Sequence, residues 1–154
     1  MALTTVDQIL VKRASMTAAR NVGGAVALAL KAFWMGRNQE GQTGKLYLLP
    51  FGALTADAVG VDAACKVHFI YVKKDSTATD VWYKIFDDAT DDSTAADAMI
   101  AMGLTGASDE QFFYSKLGVD LAAGFDHGSY TAFLGYNATT AGVALSGFVI
   151  VGDA

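Results

Sequence analysis

The chain has 154 residues, 53% of them hydrophobic and only 18% charged, with a formal net charge of −5. That composition excludes a disordered chain and suits one compact domain with a real core. An acidic balance with pI ≈ 4.7, and no basic patch interleaved with aromatics, argues against a nucleic-acid partner.

The charge is unevenly spread. Residues 1–45 hold six basic side chains (Lys12, Arg13, Arg20, Lys31, Arg37, Lys45) and two acidic ones (Asp7, Glu40), a net of +4. Residues 46–154 hold five basic and fourteen acidic side chains, a net of −9. Such asymmetry points to one end that meets an acidic surface. A surface this poor in charge fits an assembly subunit, whose surface is covered by neighbours. Cys65 is the single cysteine, so it forms no internal disulfide and implies no oxidising compartment. It reads as a small buried apolar residue.

The N-terminal MALTTVDQILVKR reads unlike a signal peptide, because Asp7, Gln8, Lys12 and Arg13 interrupt its apolar residues. Thr5 and Gln8 have the spacing of a capping box, and Val6, Ile9 and Leu10 follow at helical spacing. This predicts a helix over about 6–19. Gly23 and Gly24 break the pattern. The apolar run Val22–Met35 is shorter than the roughly 20 residues a membrane span needs, and Lys31 interrupts it. Residues 25–35 alternate as a strand would, although Val22, Val26, Leu30 and Phe33 also fit one helical stripe.

Clearer strand signals follow. KLYLLPF, KVHFIYVKK, DVWYKIFDD, EQFFYSKLG, SYTAFLGYN and VALSGFVIV are aromatic or β-branched runs bounded by turn residues. Pro50 ends the first of them. His68 reads as a packed strand residue. One insertion, DDSTAADAMIAMGL, reads as helical, with Ser93 or Thr94 as cap, Asp97 in the first turn, Met99, Ile100 and Met102 on an apolar side, and Gly103 as stop. Strands in sequence without intervening helices predict a mainly β fold, an antiparallel β-sandwich or jelly-roll-like single domain. It carries a short N-terminal helix or arm and one short inserted helix. The expected division is a helical arm over 1–22 and a β-rich domain over 23–154.

The chemical motifs are weak. NQEGQTGKL resembles a phosphate loop, but Gln39 stands where its first glycine belongs and Leu46 where the hydroxyl belongs. A hairpin loop explains it better. Asp87, Asp88, Asp91, Asp92 and Asp97 form an oxygen-rich stretch of the kind calcium prefers, without the EF-hand spacing. FDHGSYT places Asp126, His127 and Ser129 too close in sequence for a catalytic relay and reads as a polar turn. Two histidines and one cysteine do not make a usual zinc site. Asn137-Ala138-Thr139 matches a glycosylation acceptor and reads as a hairpin turn. No catalytic residue, cofactor or metal is expected, and an enzyme has the least support.

The N-terminal MALTTVDQILVKRASMTAARN, as a docking arm, and the ending GSYTAFLGYNATTAGVALSGFVIVGDA resemble the small cement or decoration proteins of tailed-bacteriophage capsids. That resemblance implies a structural virion protein, often trimeric, that clamps neighbouring copies of the major capsid protein and stabilises the shell. It implies a location on the capsid surface after synthesis in the host cytoplasm, with no nucleic-acid or membrane partner. Under it, Lys12, Arg13 and Arg20 would steer the arm, and Phe33 and Trp34 would anchor it. ALSGFVIV also resembles the last strand of trimeric tumour-necrosis-factor-like and complement-like jelly rolls. The alternative is a soluble β-sandwich binding module for carbohydrate, using Trp82, Tyr83, Tyr130 or Tyr136 in exposed loops.

Overall fold

The computed structural model describes residues 4–6, 46–89, 98–131 and 142–154. All regular structure among them is strand: β1 (Thr4–Val6), β2 (Leu46–Leu54), β3 (Asp57–Val61), β4 (Cys65–Lys74), β5 (Val81–Asp87), β6 (Ala98–Leu104), β7 (Glu110–Leu121), β8 (Phe125–Tyr130) and β9 (Leu145–Asp153). The pairing follows a simple rule. β5 pairs with β6, β4 with β7, β3 with β8 and β2 with β9, all antiparallel. The chain from β2 to β9 is thus one long antiparallel ribbon, turned back between β5 and β6. Rolling that ribbon brings β9 against β4 and β8 against β5. The result is two sheets, ordered β1-β2-β9-β4-β7 and β3-β8-β5-β6. This is the strand order of a jelly roll.

The core lies between the sheets. Leu49, Val67, Ile70, Val72, Val149 and Val151 come from the five-stranded sheet and meet Val81, Tyr83, Ile85, Ile100, Leu104 and Phe125 from the other. Each such side chain contributes about 1.5–3 kcal/mol by leaving water. Strand β4 lies between β9 and β7 and is buried on both faces over Val67–Val72. A strand buried on both faces reads as an unbroken apolar run, which is why KVHFIYVKK stands out in the sequence. His68 is buried in it, as expected, with its Nδ1 3.2 Å from the Ser115 carbonyl oxygen.

The two expected helices meet the structure differently. Residues 98–104 are strand β6, not the second half of a helix. Ile100, Met102 and Leu104 point to the core every second residue while Met99 points out. A four-residue window of Met and Ile fits both periods, and pairing of Ile100 with Ile85 and Leu104 with Val81 selects the strand. Ser93, Thr94 and Asp97 lie outside the described residues. At the N-terminus Thr5 is not a helix cap: it is in β1, opposite Tyr47, and Val6 is opposite Leu46. Extended backbone suits the β-branched Thr-Thr-Val, and the exposed edge of β2 supplies the hydrogen bonds. The rest of the expected helix, and the 25–35 segment, lie outside the described residues.

FDHGSY is not a turn. It is β8, buried along its whole length between β3 and β5. Pro50 does not end β2 either; it sits opposite Phe148, two residues beyond Leu48, where β1 stops pairing. A proline is tolerated there because, among the described residues, that side of β2 meets no partner strand.

Candidate interaction surface

The polar residues that attract attention in the sequence are mostly committed to the fold. His127 lies in the inter-sheet core, boxed by the rings of Phe125 (4.8 Å), Phe51 (5.0 Å) and Tyr83 (5.7 Å). Its Nδ1 is 2.9 Å from the Tyr83 hydroxyl. Burial pushes its pKa down to about 4, so the ring is neutral at pH 7. The same burial, with the nearby Asp126 charge, holds the Tyr83 hydroxyl well above its usual range. Ser129 Oγ donates to the Val143 carbonyl at 3.0 Å. Asp126 alternates with His127 and Ser129 along β8 and so faces the other side of the sheet. The three side chains do not form a relay.

Cys65 is buried, as expected, and burial raises its thiol to about 11, with the Asp87 charge adding to the effect. Such a thiol is a poor nucleophile. Asp87, the first residue of the acidic stretch, is a turn cap. Its Oδ1 accepts from the amides of Ala123 at 2.6 Å and Gly124 at 3.4 Å, which ties β5 to the turn before β8. Burial works against ionisation there, and those amides outweigh it, so the carboxyl stays below its usual range. Asp91, Asp92 and Asp97 lie outside the described residues. Among the described residues no group of three His, Cys, Asp or Glu side chains converges as a metal site.

One end of the sandwich is braced by a buried cation. Lys74, at the end of β4, donates its ammonium to the carbonyls of Thr77 and Gly106. Asp75 accepts from the Ala144 amide at 3.2 Å, and Asp109 accepts from the Thr105 amide at 2.9 Å. Three loops are joined this way. Lys74→Met keeps the apolar stem but strands two carbonyls, and is expected to destabilise the fold by about 1–3 kcal/mol. A thermal midpoint unchanged by this variant would show that the brace is idle.

The aromatic residues sort differently from expectation. Tyr83 and Tyr130 are buried, not exposed. Tyr130 packs against Phe86 and lies under the Lys84 ammonium, 5.3 Å from the ring centre. Trp82 is half-buried and lies across Gly103, where an added Cβ would meet its ring at 3.1 Å. Tyr136, Lys12, Arg13, Arg20, Phe33 and Trp34 lie outside the described residues.

What is exposed instead lies on two strands, β6 and β7. Among the described residues the exposed large hydrophobic side chains are Met99 (49%), Phe112 (39%), Tyr114 (50%) and Leu117 (74%). All four belong to β6 and β7, each at one end of its sheet among the described residues. On the outer face of the five-stranded sheet, Phe148, Phe69 and Phe112 stack in a row, 6.0 and 6.5 Å apart. The row starts on β9, crosses β4, and ends on β7, the last strand of that sheet among the described residues. Tyr71 donates to Glu110 at 2.9 Å beside it. Comparison of the chain with protein-family models and with curated proteins gives no match.

Reasoning from sequence finds the β7 strand but not its exposed aromatics. A signal was present in Gln111-Phe112-Phe113-Tyr114: successive residues of a strand face opposite sides, so three consecutive aromatics cannot all enter one core. Phe113 packs inward and its two neighbours remain outside. Among the described residues no helix is long and apolar enough to cross a membrane.

Proposed function

We propose that this chain is a structural virion protein that binds the outer surface of a capsid and stabilises the shell by clamping neighbouring copies of the major capsid protein. The observation that carries this reading is the aromatic row on the outer face of the five-stranded sheet, which ends in the exposed Phe112 beside the exposed Tyr114. An apolar patch of this kind marks a surface used for contact. Jelly rolls recur in viral shells and in lectins, an analogy of fold that supports the reading.

The mechanism is contact area repeated many times. A standard interface buries about 1,600 Å² in total, and repetition over a shell converts modest affinity into firm attachment. Lys12, Arg13 and Arg20 give the N-terminal segment its net positive charge and steer it toward an acidic capsid face. Phe33 and Trp34 serve as further anchors. The carbohydrate alternative has lost its two tyrosines to the interior and rests on Trp82 alone among the described residues.

Deleting residues 1–20 removes β1, which contributes three residue pairs, and leaves β2–β9 complete. The expected result is a folded chain, by circular dichroism, that no longer pellets with shells of the cognate major capsid protein. Undiminished pelleting would remove the arm from the account. Quenching of tryptophan fluorescence by a soluble glycan would favour the lectin-like alternative.

A further inference from the structure

We propose that Leu117 is an anchor that seats in an apolar pocket of the shell protein, carried out of the sheet by a fixed turn in β7. The inference rests on the capsid reading and names the side chain that grips. Strand β7 pairs with β4 through Tyr114, opposite Phe69, and again from Val119, opposite Val67. Between these two pairs β7 spends four residues, Ser115, Lys116, Leu117 and Gly118, where β4 spends one, His68. An ordinary bulge adds one residue, and bulges serve to re-aim side chains.

The turn is held against β4 at both ends. At its start, His68 Nδ1 donates to the Ser115 carbonyl oxygen at 3.2 Å. At its close, the Gly118 amide donates to Ser115 Oγ at 3.1 Å. Gly118 has a φ of +83°, a conformation that glycine adopts at no steric cost. A Cβ added there would lie 2.9 Å from both Lys66 Cβ and His68 Cε1, so the backbone returns directly onto β4. With both ends seated on the sheet, Leu117 projects from it. Its side chain is 74% exposed, the highest value among the described large hydrophobic side chains.

A polar residue would suit that position in the free protein, because leucine gains only when it leaves water. The fixed turn also lowers the ordering cost of binding, since the backbone around the leucine is already set. A projecting side chain needs a concave complement. A second copy related by a twofold axis at the turn offers the same projection, leucine against leucine. The complement therefore lies on a different surface. Tyr114, three residues earlier and also exposed, places this anchor next to the end of the aromatic row.

The test is co-sedimentation of the full chain and its variants with shells of the cognate major capsid protein, across a range of chain concentrations. Circular dichroism and the thermal midpoint of each variant are the fold control. Leu117→Ser should keep the parent midpoint and bind shells at least about tenfold more weakly, while Leu117→Met, which stays apolar, should bind nearly as the parent does. A parent chain that stays in the supernatant overturns the capsid reading and the anchor together. A parent that sediments, with Leu117→Ser sedimenting equally, overturns the anchor alone. A Leu117→Ser chain that binds shells normally but loses self-association on native mass spectrometry also overturns it, and moves the leucine to a contact between copies.

Discussion

Gly147→Ala is expected to lower the thermal midpoint by about 10 °C, or to prevent folding, because one methyl group has nowhere to go. Gly147 lies in the middle of β9, opposite Phe51 of β2 and Val72 of β4. An added Cβ would sit 1.9 Å from the Tyr71 carbonyl oxygen and 3.1 Å from the Val72 Cα. Both are backbone atoms of a central strand, so no side chain can swing aside. The φ of +157° adds strain for any other residue. Overpacking alone costs about 1–3 kcal/mol, and strain at a special backbone angle about 1–3 more. For a chain of this size each kcal/mol moves the midpoint by about 2–4 °C. Gly52→Ala is the matched control, since nothing lies within 4 Å of its added Cβ. A Gly147→Ala protein that melts with the Gly52→Ala protein would show that β9 and β4 are not placed as described.

Acid should weaken the fold in a window set by His127. Above pH 6.5 the ring is neutral in both the folded and unfolded chain and contributes nothing to pH dependence. Below 6.5 the unfolded chain takes up a proton that the folded core refuses until about pH 4, so stability falls across that interval. The full drop is about 3 kcal/mol at the lower end of the window. Asp75, Asp87 and Asp109 act elsewhere. Hydrogen bonds from Thr77 to Asp75, from the Ala123 turn to Asp87, and from Thr105 to Asp109 hold these carboxyls below their usual range. Their contribution is intact above the unfolded value of 3.8 and is lost only below it. Urea midpoints taken from pH 7 to pH 4 cover the window in which His127 acts and those three carboxylates do not. His127→Gln, which keeps a polar side chain but does not titrate, should flatten that limb. An equal decline in both proteins would place the acid sensitivity in another group.

Much of the architecture was legible, for a definable reason. Strands β4 and β9 are central in their sheet, so KVHFIYVKK and VALSGFVIV carry long β-branched and aromatic runs that no other structure explains as well. The missed or misread strands lack that signature. In β8 the letters Asp126, His127 and Ser129 look like a turn, and the partners Tyr83 and Val143 are what make His127 and Ser129 tolerable inside. In β3 the sequence DAVGV is short and contains Gly60, whose added Cβ would fall 2.1 Å from the Phe125 ring. That glycine is there to admit a ring from a strand far along the chain, a reason invisible in local sequence. In β6 the Met and Ile spacing served a strand as well as a helix.

The interaction surface was less legible. Arg13 and Trp34 drew attention through charge and composition, which describe a segment, not a place in space. Phe112 joins a surface only because β7 lies beside β4, which puts it next to Phe69 and Phe148, and strand order is a long-range property. Tyr83 and Tyr130 drew the opposite error. An aromatic beside turn residues reads as a loop side chain until β5 and β8 are found side by side in the other sheet.

The measurement that tests the proposed function most directly is the thermal dissociation of shells of the cognate major capsid protein, with and without this chain. The account predicts that the chain sediments with the shells in a fixed ratio and raises their dissociation temperature, and that Tyr114→Asp reduces both effects. Shells that dissociate at the same temperature with the chain present, while the chain stays in the supernatant, would contradict it.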